Sequence, residues 1–121
     1  MDCIFCKIAN KEIESNLLYE DEIVMVIMDL YPICDGHLLI IPKKHYDTVF
    51  DVPTDVLEHM YKIANDMTHK VMDKLNEKGA TIAFNYGDKQ AIKHVHMHIM
   101  PNFEVKASKS VEDVYKLLME D

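Results

Sequence analysis

The run His94-Val95-His96-Met97-His98-Ile99-Met100 sets three imidazoles at every second position. Imidazole is the side chain whose ordinary titration spans neutral pH, so such a row offers nucleophiles and proton carriers. Alternation of ring and aliphatic side chain has the period of a β-strand. All three rings then share one face, Val95, Met97 and Ile99 face a core, and Pro101 ends the ladder. Successive rings would stand about 6.6 Å apart, from a rise of roughly 3.3 Å per residue. Two plainer uses compete: histidines that merely pack and hydrogen-bond, or a metal site made from the row itself. Packing explains one strand histidine well and three in strict alternation poorly. On a straight strand the outer pair has Cα atoms about 13 Å apart, awkward for bonds of about 2.1 Å to one zinc. At most two of the three can then serve the same ion, which leaves at least one for other work.

Composition limits the partners. The chain has 121 residues, 49% of them hydrophobic, which suits one domain with a real core and excludes a disordered chain. With 21 acidic against 13 basic residues, the net charge of -8 argues against a nucleic-acid-binding face or a polybasic membrane anchor. A small phosphorylated ligand held by local dipoles stays open. Residues 1–7 hold no basic segment followed by an apolar one, and no apolar run approaches a membrane span. A soluble, intracellular, cytoplasmic protein is expected. In a reducing compartment Cys3 and Cys6 form a C-x-x-C pair open to three readings: two thiolates on a tetrahedral zinc, a redox pair, or chance. Cys34 reads as an ordinary loop thiol.

The elements that must position these residues follow from pattern. Residues 7–15 read as a short helical turn and a polar connection, and 17–19 and 23–28 as strands joined by Glu20-Asp21-Glu22. Asp29 falls where the second strand leaves the sheet, before a turn with Pro32 and Gly36, and so either caps that turn or faces a ligand. Residues 37–41 are a third strand stopped by Pro42, and Lys43-Lys44 a solvated surface. Thr54 or a neighbour caps a long helix running to about residue 76 and ending near Gly79. Val56, Met60, Ile63, Met67, Val71 and Leu75 form its buried stripe, while His59 and His69 read as surface residues without a role. A fourth strand over 81–85, a polar loop over 86–93 and the histidine row follow. Ser110 with Asp113 is a capping box before a short amphipathic helix. The sum is a single α+β domain: five mainly antiparallel strands, one long helix on a sheet face and a short C-terminal helix.

Cys3-Ile4-Phe5-Cys6-Lys7-Ile8, Asp29, the block Gly36 to His45, Asn85 and the row from His94 to Met100 occur in an order that resembles the histidine triad (HIT) family. The likeness is closest to its Hint branch of nucleotide phosphoramidate hydrolases and runs from residue 3 to about 101. It implies that His96 attacks the α-phosphorus of a nucleotide, giving a nucleotidyl-histidine that water hydrolyses. It makes His98 the partner of the phosphoryl oxygens and the leaving group, and lets His94 act from the zinc side or hold the tautomer of His96. It gives Asp29 to the ribose hydroxyls and Ile4, Phe5, Ile8, Ile27, Leu30 and Leu39 to the base pocket. His37 matches a fourth histidine near the site, and Asn85, Gln90 and Ala91 match the phosphate loop. Members with the C-x-x-C pair resemble uridylyltransferase relatives, which implies a structural zinc on Cys3, Cys6, His45 and His94. A purine nucleotide substrate and a homodimer are further expectations of the family.

The chain departs from the pattern in Lys89-Gln90-Ala91. Where Hint proteins often carry a serine, Ala91 has no hydroxyl to help the leaving group, so His98 or water is expected to handle that proton. Lys89 replaces a glycine and adds a cation suited to longer phosphate chains. Two alternatives stand beside the phosphoramidase: a dinucleoside polyphosphate hydrolase of the fragile-histidine-triad type, and a nucleotide- or zinc-binding interaction protein without turnover. A nucleotidyl transferase fits less well, because such relatives usually replace the third histidine by glutamine and here it is His98.

Overall fold

A computed structural model describes residues 3–120. In chain order these form α1 (Ile4–Ala9), β1 (Leu17–Glu20), β2 (Val24–Met28), β3 (Leu38–Pro42), α2 (Thr54–Leu75), β4 (Thr81–Phe84), β5 (Met97–Met100) and α3 (Val111–Met119). Two single 3-10 turns, Val49–Asp51 and Gly87–Lys89, flank α2 and β4. Among the described residues the strands make one five-stranded sheet in the order β1-β2-β3-β5-β4, every pair antiparallel. The expected architecture is the observed one.

Both faces of the sheet centre are covered, which is why β2 and β3 are buried at every residue. Alternation sends Val24, Val26, Met28, Leu38, Ile40 and Ile99 toward Met60, Ile63, Ala64, Met67 and Val71 of α2 and Val114 and Leu118 of α3. The opposite face, with Met25, Ile27, Leu39 and Ile41, packs under Phe5 and Ile8 of α1. That second layer is thin, because α1 has only six residues, and the site lies there.

Several boundaries differ from the pattern reading. Helix α1 begins at Ile4 rather than within 7–15, because Cys3 acts as its N-cap and accepts from the backbone N–H of Cys6 at 3.4 Å. Thr54 is the first residue of α2 and the cap is Pro53, with no side-chain bond; at the other end Asn76, at φ 56°, takes the left-handed position expected near Gly79. The largest difference is in the histidine row, where only residues 97–100 are laddered. Antiparallel pairing of Ile40 with Met97 would next bring Pro42 opposite Val95, but proline has no N–H to give. The Pro42 carbonyl accepts instead from His94 Nε2 at 2.7 Å, and the Val95 N–H turns to the Tyr46 carbonyl at 2.8 Å.

His59 has a partner after all. Asp21 accepts from the backbone of Ile23 and Val24, both at 2.8 Å, from the Tyr19 hydroxyl at 2.8 Å and from His59 Nε2 at 2.6 Å. It thereby closes the β1–β2 turn and fastens it to α2. Burial works against the ionised form of Asp21, but these donors outweigh it and hold the carboxyl far below its ordinary value. Because the folded-state value is depressed, the stabilisation is complete above the ordinary carboxylate range and is lost as pH falls below it. Asp21→Ala is expected to cost about 1–3 kcal/mol at neutral pH, measured by urea unfolding, with His59→Ala costing less.

Candidate active site

Helix α1, the end of β2, the middle of β3 and residues 91–98 enclose a cavity of about 290 Å³. Ile4, Phe5, Ile8, Ile27, Leu30, Leu39, Ala91, Asp29, His96 and His98, all singled out from the sequence, line it together. Met28, Tyr31 and Ile92 also line it and were not foreseen. Each adjoins a residue that was, so reading neighbours of Ile27, Leu30 and Ala91 was the signal available. The walls are chiefly aliphatic, with two imidazoles and one carboxylate among them.

His96 is buried, and its Nδ1 lies 2.8 Å from the carbonyl of His94. A carbonyl can only accept, so the proton sits on Nδ1 and Nε2 keeps a lone pair. Phe5 packs edge-on against the ring at 5.1 Å between centroids. Burial lowers the His96 pKa against the opposing pull of the His94 carbonyl and Asp29, and the ring is therefore neutral at pH 7. His98 on β5 is half-buried, 4.8 Å from His96 between centroids, and burial with the charges of His96 and His37 pushes its pKa down to about 4. Asp29 spends Oδ1 on the Tyr31 N–H at 2.9 Å, so it does cap the turn, while the residue also borders the cavity.

Four expected residues stand outside the lining. His94 is fully buried behind His96. His37 is buried beneath His98, with its Nε2 at 2.8 Å from His98 Nδ1. The Asn85 amide is 3.3 Å from His98 Nε2. Gln90, for which the resemblance implied a place near phosphate, turns its side chain inward and donates to the carbonyls of Asp47 at 2.6 Å and Ile92 at 2.9 Å. Lys89 is exposed on the 3-10 turn and does not border the cavity.

Cys3, Cys6, His45 and His94 bring their donor atoms within 4.8 Å of one another. His94 Nδ1 is 3.2 Å from Cys3 Sγ and 3.5 Å from Cys6 Sγ, and His45 Nδ1 is 3.3 Å from Cys6 Sγ. A tetrahedral ion with ordinary zinc bond lengths would set S···N edges of about 3.6 Å, close to these. The far nitrogens settle the tautomers. His94 Nε2 donates to the Pro42 carbonyl and His45 Nε2 to Asp47 Oδ1 at 2.8 Å, so both rings turn lone pairs to the sulfurs, as second-shell partners of metal ligands do. Burial raises the Cys3 thiol, yet the N–H groups and the neighbouring Cys6 and His45 outweigh it and bring it below the ordinary value; Cys6 is pushed up to about 11 by its partial burial and by Cys3 beside it. The set fits a metal.

Asp29, His37 and His98 form a second convergent group, also within 4.8 Å. Here the chemistry disagrees with the geometry. The Ile33 backbone N–H donates to His37 Nδ1 at 3.1 Å, which puts the ring's own proton on the Nε2 that would have to bind the ion.

Residues 10–105 match the HIT domain family. The chain belongs to that family. It is 42% identical over 104 residues to an uncharacterised HIT-like protein of Methanocaldococcus jannaschii, covering 84% of this chain and 80% of that one. It is 35% identical over 105 residues to the adenylylsulfatase HINT3 of Arabidopsis thaliana, covering 85% of this chain and 53% of that protein. The structure is similar to a Zn-bound histidine triad family protein from Mycobacterium smegmatis, at a TM-score of 0.88 and 28% identity, covering 98% of this chain and 91% of the other.

Proposed function

We propose that this HIT protein hydrolyses a nucleoside 5'-phosphoramidate, or a related nucleotidyl ester, at the α-phosphorus through a nucleotidyl-His96 intermediate. The observation that carries the reading is the His96 ring, held by the His94 carbonyl so that a neutral Nε2 lone pair is left on a ring that lines a largely apolar cavity together with Asp29. The slot formed by Ile4, Phe5, Ile8, Ile27 and Leu39 suits a purine base, and Oδ2 of Asp29, which makes no short hydrogen bond, suits ribose hydroxyls.

In the first step the Nε2 lone pair forms an N–P bond while the bond from phosphorus to the leaving nitrogen or oxygen breaks, its electron pair departing with that atom. His98 hydrogen-bonds the charge that develops. Ala91 offers no hydroxyl, so water gives the departing atom its proton, and the hydroxide left behind attacks phosphorus, returning the pair to Nε2. The Arabidopsis relative's name supports adenylyl as the group transferred, with the leaving group the variable part.

Incubation with adenosine 5'-phosphoramidate is expected to give an adenylylated peptide containing His96 by rapid-quench mass spectrometry. His96→Ala should lose at least about a thousandfold in kcat. Faster turnover of diadenosine polyphosphates would move the assignment to that substrate class; nucleotide binding with no adduct and no loss on His96→Ala would make the protein a binding module.

Zinc on Cys3, Cys6, His45 and His94 belongs to the same reading, supported by their donor set and by the Zn-bound neighbour. It would supply a cross-link between α1, the segment after β3 and the residue before Val95. Metal analysis is expected to give about one zinc per chain, and chelation to lower Tm by at least about 5 °C. Unchanged melting after complete removal would sink the structural role.

A homodimer is also proposed. Strand β4 is a free edge of the sheet and carries Ile82, 48% exposed. Sedimentation equilibrium should give twice the chain mass, and Ile82→Lys should shift it toward monomer.

A further inference from the structure

The His37 ring is buried near the cavity and has mixed partners, a donor on one nitrogen and acceptors on the other. Ile33 N–H is a donor with no alternative state, so its 3.1 Å approach to Nδ1 means that Nδ1 carries the lone pair. The proton must then be on Nε2. There it meets two acceptors: His98 Nδ1 at 2.8 Å and Asp29 Oδ2 at 3.5 Å. The shorter is a full hydrogen bond; the longer is a charge at the limit of one. His98 Nδ1, receiving a proton from His37, cannot hold its own, and the His98 proton is placed on Nε2. That atom stands 3.3 Å from Asn85 Nδ2, so the assignment also requires the Asn85 amide to be turned end for end, with Oδ1 accepting from the ring.

The main chain fixes this chain of bonds at its start. Asp29 N–H donates to the His37 carbonyl at 3.0 Å, so the acid and the ring are tied by backbone as well. Gly36, at φ +81°, lies so close to α2 that an added Cβ would stand 2.5 Å from Leu75 Cδ1 and 2.7 Å from Val71 Cγ2. His37 is only 2% exposed, and burial lowers its pKa, consistent with a single proton.

We propose that His37 is a positioning residue that holds His98 as a neutral donor through Nε2, and that sugar hydroxyls bound at Asp29 protect this arrangement by occupying the rival carboxylate. This rests on the hydrolase reading. An unoccupied Asp29 carboxylate competes for the His37 proton; a ribose that donates to it removes the competitor and leaves His37 wholly to His98. The diol therefore contributes to kcat and not to binding alone.

The direct readout is ¹⁵N NMR of His98 in the wild-type protein, which needs no variant. Protonated Nε2 and bare Nδ1 are expected; a proton on Nδ1 would overturn the assignment. The kinetic readout is a leaving-group series on adenylyl substrates, because a hydrogen bond to the departing atom matters most when that atom is basic. His37→Leu should lower kcat at least about tenfold more for an alkylamine than for a nitrophenol. His37→Gln should restore part of the difference, since its oxygen can accept from Ile33 and its N–H can donate to His98. Equal losses for both leaving groups would reduce His37 to a packing role. Replacing the ribose by 2',3'-dideoxyribose should lower kcat with the alkylamine as well as raise KM; a change in KM alone would overturn the part given to Asp29. Failure to form the His96 adduct would remove the hydrolase reading while leaving the NMR result standing, so the two failures are distinguishable.

Discussion

A neutral imidazole has one proton and one lone pair, and whatever faces its inner nitrogen decides which is offered by the outer one. That constraint orders the whole site. Carbonyls and a carboxylate stand behind His94, His96 and His45, so these rings present lone pairs, two to the cysteines and one toward the cavity. A backbone N–H stands behind His37, so this ring presents a proton. Four rings of the same chemical type are thereby divided into electron-pair donors and a hydrogen-bond donor. Burial assists by holding His37, His94, His96 and His98 below their ordinary pKa values.

The interruption of the sheet at Pro42 makes the division possible. If the ladder ran through residue 94, the carbonyls of Pro42 and His94 would be candidates for strand pairing. Because proline cannot donate, the main chain at 94–96 leaves the sheet, and the two carbonyls serve rings instead. His94 then belongs to both halves of the site: its ring faces the cysteines and its carbonyl faces His96. The spacing limit drawn from a straight strand pointed to this split, although the strand is not straight there.

The five strands, the α2 stripe and the terminal helix were legible because each rests on a hydrophobic period that survives in the fold, whereas the order of the strands in the sheet was not read from the sequence. That Ile4, Ile8 and Leu39 share one cavity was legible only through family resemblance, since by themselves they look like any core positions. Helix α1 was placed late because its cap is a cysteine, which is not an ordinary N-cap residue. His59 was passed over because its partner, Asp21, is 38 residues away in a turn, and periodicity carries no record of such a pair. Gln90 was misjudged in direction: sequence fixes the loop it belongs to, while the free carbonyls of Asp47 and Ile92, which decide where its amide points, exist only once the chain has folded.

Cys3 has one further significance. A helix of six residues has little stability of its own, and α1 keeps its place through the sulfur at its start and the burial of Phe5 and Ile8. The roof over the cavity is thus pinned at one corner by a thiol. Alkylation of that atom would unfasten the roof while every histidine below it remained chemically intact, so inactivation by a sulfhydryl reagent would not by itself reveal a nucleophilic cysteine.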